Sequence, residues 1–241
     1  MAQIIVRLKC ITNLHVGNGD VNYSIVDNEV ERDPVTNYPV INSSGVKGAL
    51  REYFKAVAPE LVASVFGSDE AKNTTQGKLK FLTAEMLAVA ARASRGESAY
   101  CLVSTETAVS RFSQMKEEFL GDSVAYERGP ANSVEIEGFS PAGKLNTPFG
   151  DIYLLSEEDF RHISLPVMAR NCLEDGRSTN LWYEEVVPHE SLFFFPVLAN
   201  DQDKDCLKAF AEKISGRVVQ FGGNATIGYG LCKVCVMEEK A

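Results

Sequence analysis

Two hydrophobic periods alternate along this chain, and no other feature of its sequence narrows the fold as far. Residues 4–12 alternate apolar and polar side chains with the period of two that half-buries a β-strand. Val46, Ala49, Leu50, Tyr53, Phe54 and Val57 then recur at the spacing of an amphipathic helix, with Ser43 or Ser44 as its expected N-cap. Residues 78–82 and 99–104 read as strands, and residues 106–120 as a helix ended by Gly121. A strongly apolar strand is expected at 191–198, a helix at 204–214 ended at Gly216, and strands at 217–221 and 231–237. The order strand, helix, strands, helix, strand predicts an α+β fold with helices on one face of a sheet. A β-α-β-β-α-β ferredoxin-like unit is its most economical form. A chain of 241 residues fits one elaborated domain spanning 1–241. Residues 17–39, 121–150 and 168–188 resist assignment; they are rich in Gly, Asn, Pro and charge, and loops of that length in a compact domain usually carry function. Residues 121–150 are expected to be an irregular insertion.

Composition restricts what such a domain can do. With 45% hydrophobic and 24% charged residues the chain has the balance of a globular protein, and no apolar run reaches membrane-spanning length. The N-terminus lacks the long apolar core of a secretory signal, so a cytoplasmic protein without membrane partners is expected. A net charge of −9 argues against coating nucleic acid by bulk electrostatics. Any phosphate contact must be local, and Lys47, Arg51, Arg170 and Arg177 are the cations available for a basic track. The six cysteines show no pattern of a disulfide scaffold. Cys232 and Cys235 form a C-x-x-C, but on an alternating strand that spacing sends the two side chains to opposite faces, so reduced thiols are expected.

Three motifs carry chemistry. Leu-His-Val-Gly-Asn-Gly-Asp at 14–20 places His15 at a strand end before a glycine-permitted turn. Such a histidine serves either as a structural hydrogen-bonding group or as a reactive one. The segment 24–51 brings Asp27, Glu29, Glu31 and Asp33 into one loop and then delivers Ser43, Ser44 and the Gly45 N–H to a helix N-terminus, where phosphate is favoured. Lys47 and Arg51, four apart, share one face of that helix. Glu29 and Glu31 read as solvated charge. Phe-Gly-Gly-Asn-Ala-Thr-Ile-Gly-Tyr-Gly at 221–230 is neither a P-loop nor a dinucleotide fingerprint, but Gly222, Gly223, Asn224, Gly228 and Gly230 let a backbone turn lie against a nucleic-acid chain.

Taken in order, Leu-His-Val-Gly-Asn-Gly, Val-Asp followed by Arg-Asp-Pro-Val-Thr-Asn-Tyr-Pro-Val-Ile-Asn-Ser-Ser-Gly-Val-Lys-Gly-Ala-Leu-Arg, and the terminal Gly-Gly-Asn-Ala-Thr-Ile-Gly-Tyr-Gly resemble the RAMP superfamily of CRISPR proteins. Residues 169–195 are similar to the backbone subunit of type III-B (Cmr) effector complexes. The resemblance implies an RRM-like palm, with copies stacked along a guide CRISPR RNA beside other subunits of the type III complex. It also implies a thumb hairpin at 168–185 that kinks the guide, with Leu181 and Trp182 as apolar wedges. Asp27 is implied in Mg²⁺- or Mn²⁺-dependent cutting of the paired target RNA, both as catalytic residue and as metal ligand. Glu184 and Glu185 are further catalytic candidates. His15, Ser43, Ser44, Lys47, Arg51, Arg170 and the glycine turn would bind RNA. The family's Pro-Gly-Ser-Ser before the helix is Ile-Asn-Ser-Ser-Gly here. Two other readings stay open on the same motifs: a filament scaffold without cutting, and a stand-alone precursor-RNA endonuclease with His15 or a tyrosine as general base.

Overall fold

A computed structural model describes residues 1–19, 26–70, 73–122, 126–132 and 134–237. Asp20, Ser24 and Ile25 of the quoted motifs lie outside the described residues. The alternation of residues 4–12 becomes strand β1 (Ala2–Cys10). Helix α1 (Ser43–Val57) follows and turns Val46, Leu50 and Phe54 into the core. Its cap position is Asn42, not Ser43 or Ser44, which are the first helical residues; Asn42 makes no side-chain capping bond. Helix α2 (Pro59–Phe66) starts with proline in its first turn, where the missing N–H costs nothing. Strand β2 (Ala84–Arg95) precedes β3 (Tyr100–Ser104) and helix α3 (Glu106–Leu120). Thr105 caps α3 by accepting from the Ala108 N–H at 3.2 Å, and Gly121 ends it at φ 61°. Strands β4 (Gly143–Thr147) and β5 (Gly150–Leu154) form one hairpin; β6 (Val167–Glu174) and β7 (Arg177–Glu185) form another. The chain closes with β8 (Leu192–Ala199), α4 (Lys204–Ile214), β9 (Val218–Gln220) and β10 (Leu231–Met237).

The centre of the sheet has the order β10-β1-β8-β2, antiparallel throughout. With α1 between β1 and β2, and α4 between β8 and β10, this is the ferredoxin-type, RRM-like palm in an α+β fold. β9 extends one edge; β3, β5 and β4 extend the other, with β5 parallel to β3. Segment 121–150, expected to be irregular, contributes short strands to this edge, among them β4 and Glu127–Gly129. Strands this short leave too few alternations for a periodic signal.

Helices do not all lie on one face. Phe193, Phe195 and Val197 of β8 join a core with α1, α2 and α4, where Phe54 stacks on Phe210 at 5.3 Å and meets Phe66 edge-on at 5.4 Å. Leu192 and Phe194, pointing the other way, pack with Ile5 and with Phe112 and Met115 of α3. The physical reason is in β8 itself: a strand apolar on both faces needs cover on both. Each fully buried aromatic of this kind contributes about 1.5–3 kcal/mol.

Candidate RNA-handling site

Four segments far apart in sequence are laced together by backbone hydrogen bonds at one end of the palm. Leu14 and Val187 exchange both N–H···O bonds at 2.8 Å. The Glu31 N–H donates to the Val16 carbonyl at 2.7 Å, and the Asn28 N–H to the Tyr183 carbonyl at 3.1 Å. The Gly223 N–H donates to the His15 carbonyl at 2.9 Å, and the Gly230 N–H to the Asn13 carbonyl at 2.8 Å. The continuation of β1, the acidic loop, the base of the β6–β7 hairpin and the glycine turn thus form one surface.

Asp27 is exposed on it. Its Oδ2 accepts the Tyr183 N–H at 2.8 Å while its own N–H donates to the Tyr183 carbonyl at 3.1 Å, so the residue is held through both backbone and side chain. Oδ1 makes no hydrogen bond among the described residues. His15 is buried, with Nδ1 2.7 Å from the Glu185 carbonyl. A carbonyl only accepts, so Nδ1 is the donor in this contact, which leaves Nε2 as the ring nitrogen on the other side. A side chain at Gly17 would crowd that atom, since its Cβ would lie 3.1 Å from Nε2.

The other two carboxylates are occupied. Glu184 is only 6% exposed; Oε1 accepts from the Trp182 indole at 3.0 Å, and Oε2 from the Asn224 amide at 3.0 Å, with the Arg170 guanidinium 3.7 Å away. Arg170 also sits 5.5 Å over the Tyr229 ring, so hairpin and glycine turn are joined by one polar cluster. Glu185 pairs with Arg32 at 2.5 Å and accepts the Val30 N–H at 3.1 Å. Asp33 closes a turn on Val35 and Thr36; burial pushes its carboxyl up, but the hydrogen bonds from Thr36 and Val35 outweigh it and hold it below the ordinary range. Glu29 and Glu31, expected to be solvated, are half-buried.

In the glycine turn, Gly222 and Gly230 have φ of 72° and 74°, and a Cβ on either would be driven into the carbonyl oxygen of His15 or Phe221 respectively. Gly228, at φ 83°, has open space around it. Residues 175–181 of the hairpin are exposed, Leu181 by 57%, whereas Trp182 is half-buried on the opposite side, beside Glu184. Ser43, Ser44 and Lys47 are exposed on α1, outside the hydrogen-bonded cluster around Asp27, and Arg51 is half-buried one turn on. Helix α1 packs against β9, the strand that leads into the glycine turn. Arg177 lies on the exposed outer part of β7. Arg32, Tyr183 and Tyr229 take part in the site without having been singled out from sequence; for Arg32 the signal was its place beside the carboxylate cluster.

Fold and site together define a ferredoxin-type palm with a hairpin insertion, a clamped loop carboxylate and a glycine turn on one surface. The chain belongs to the RAMP superfamily, whose family model matches residues 7–233. It is 28% identical to the CRISPR system Cmr endoribonuclease Cmr4 of Pyrococcus furiosus, across 99% of this chain and 97% of that protein. In fold it is similar to a chain of the type III-B Cmr-beta complex bound to cognate target RNA, with a TM-score of 0.79, 20% identity and coverage of 98% and 97%. It is also similar to oligomeric Cmr4 from Pyrococcus furiosus, with a TM-score of 0.71, 22% identity and both chains covered over 100%. No helix among the described residues is long and apolar enough to cross a membrane.

Proposed function

We propose that this chain is a repeating backbone subunit of a type III-B CRISPR ribonucleoprotein, which holds guide RNA and cuts the target RNA paired to it at regular intervals. The observation that carries the reading is Asp27: an exposed carboxylate fastened through one oxygen to the base of a hairpin, with no hydrogen bond to its other oxygen among the described residues. The related protein named an endoribonuclease supports cutting, and the related structures, one with target RNA and one of an oligomer, support RNA, self-association and further subunits as partners.

RNA would be gripped by few groups, as the net charge requires. Lys47, Arg51, Ser43, Ser44 and the exposed part of the glycine turn contact phosphate and sugar, and sequence is read by base pairing between guide and target. Leu181, exposed on the hairpin, is the wedge; Trp182 is the tethered member of the pair, and unstacking a base costs a few kcal/mol. A kinked strand can bring a 2′-hydroxyl in line with its own phosphate. Asp27 then orients that hydroxyl or accepts its proton, and the products are a cyclic phosphate and a 5′-hydroxyl. Glu184 and Glu185, already saturated with partners, hold the surface rather than touch the strand.

Among the described residues no group of three or more His, Cys, Asp and Glu side chains forms a metal cage. Mg²⁺ is commonly held by one or two carboxylates together with substrate phosphates and water, so Asp27 fits as a single protein ligand. When bound, the cation neutralises charge that develops on the phosphate during displacement.

Complementary target RNA incubated with the assembled complex and Mg²⁺ should yield evenly spaced cuts that disappear on chelation, mapped at nucleotide resolution. Irregular or absent cuts with target bound would refute the enzymatic reading. Replacing Lys47 by Ala should weaken binding similarly for every guide sequence and lower the salt slope of binding by about 1. A loss that depends on guide sequence would count against a phosphate contact.

A further inference from the structure

We propose that Arg32 is a positioning residue which, through Glu185, fixes Asp27 against the hairpin base; this rests on the reading of Asp27 given above. Segment 27–32 is fastened at both ends to the same short stretch of β7. At one end Asp27 exchanges hydrogen bonds with the Tyr183 backbone. At the other, Arg32 Nη2 lies 2.5 Å from Glu185 Oε1, while Nη1 donates to the Asn37 carbonyl at 3.2 Å. Between them the Val30 N–H donates to Glu185 Oε2 at 3.1 Å, and the Glu185 N–H donates to the Asn28 carbonyl at 2.9 Å. The Glu185 carbonyl accepts from His15 Nδ1.

This pair differs from a surface ion pair in kind. Its side chains are 29% and 13% exposed, both carboxylate oxygens are engaged, and the guanidinium bridges β7 and the far side of the loop. Exposed ion pairs contribute little, but a partly buried and doubly anchored one sets geometry. With Nη1 and Nη2 directed to Asn37 and Glu185, Arg32 acts through the loop. A displacement of about 1 Å at a reacting group can slow a reaction by about 10²-fold.

The test is a double-mutant cycle in the assembled complex, with Arg32→Met, Glu185→Gln and both together, measuring single-turnover cleavage and target Kd separately. Each single variant should cut about 10- to 100-fold more slowly. Target Kd should be essentially unchanged, and the double variant no slower than the slower single one. Wild-type cutting by Arg32→Met, multiplicative losses, or a Kd that weakens in step with the rate would each overturn the proposal. Should Arg32→Met fail to assemble, Glu185→Gln, which keeps an acceptor for the Val30 N–H, decides alone: slowed cutting with intact binding supports the latch, and wild-type cutting overturns it. Asp27→Asn on the same preparations separates the two claims. If it cuts normally, the reading of Asp27 fails; if it is inactive while Arg32→Met is normal, only the latch fails.

Discussion

A complex assembled with Asp27→Ala should keep its guide and bind complementary RNA yet leave that RNA uncut, with single-turnover scission slower by about 10²-fold or more. Two contributions are lost together in that variant: Oδ1, and the Oδ2 that accepts the Tyr183 N–H. Asp27→Asn separates them, because the amide oxygen still accepts from Tyr183 while the negative charge is gone. If charge at this point is what the chemistry uses, Asn is as inactive as Ala. If the side chain only shapes the loop, Asn cuts nearly as fast as the parent and Ala does not. Guide retention is the internal control, since Lys47 and the exposed N-terminal turn of α1, the groups assigned to guide phosphate, are unchanged in the variant. Cleavage by both variants at the parental rate, with guide bound, would end the assignment of Asp27.

How much of this was legible in the sequence differs between the palm and its site. β1, α1, α3, α4 and β10 were readable because each keeps a period, with Gly121 as a terminator for α3, and β8 because it is a continuous apolar run rich in phenylalanine. β2 was not, although it is the second strand of the palm. Its Ala84–Arg95 stretch is rich in alanine, which strands disfavour, and it is largely buried on both faces, which erases alternation. The motifs of the site were visible as words, and their partners were not. Arg32 and Glu185 are 153 residues apart in sequence, and nothing local marks either as the other's counterion. Glu184 read as a candidate acid beside the hairpin because acidity is visible in sequence and burial is not; the fold encloses it between Trp182, Asn224 and Arg170. The neighbours of an enclosed residue such as Glu184 decide what it can do, and a motif does not name them.

The glycine turn supplies the second large effect, and here the two kinds of glycine predict different outcomes. Gly230→Ala must both adopt φ near 74° and drive its Cβ into the Phe221 carbonyl oxygen, which accepts from the Gln220 side-chain amide at 3.0 Å. The closest atoms are backbone, so moving the nearby Gln220 side chain does not relieve the clash. Phe221 is itself fully buried, and its N–H donates to the Gly230 carbonyl at 2.9 Å, so relief requires breaking the link between β9 and β10. The expected loss is about 3 kcal/mol or more. For a chain of this length that lowers Tm by about 6 °C or more. Gly228→Ala meets only the conformational penalty of a left-handed residue in open space, about 1 kcal/mol, and should shift Tm by about 2–4 °C. Thermal unfolding of the two variants followed by circular dichroism measures the contrast directly. Equal shifts would mean that the turn is pliable enough to absorb a methyl group at its closest approach, and a turn so pliable could not hold His15 and Asn224 in the positions that join it to the hairpin.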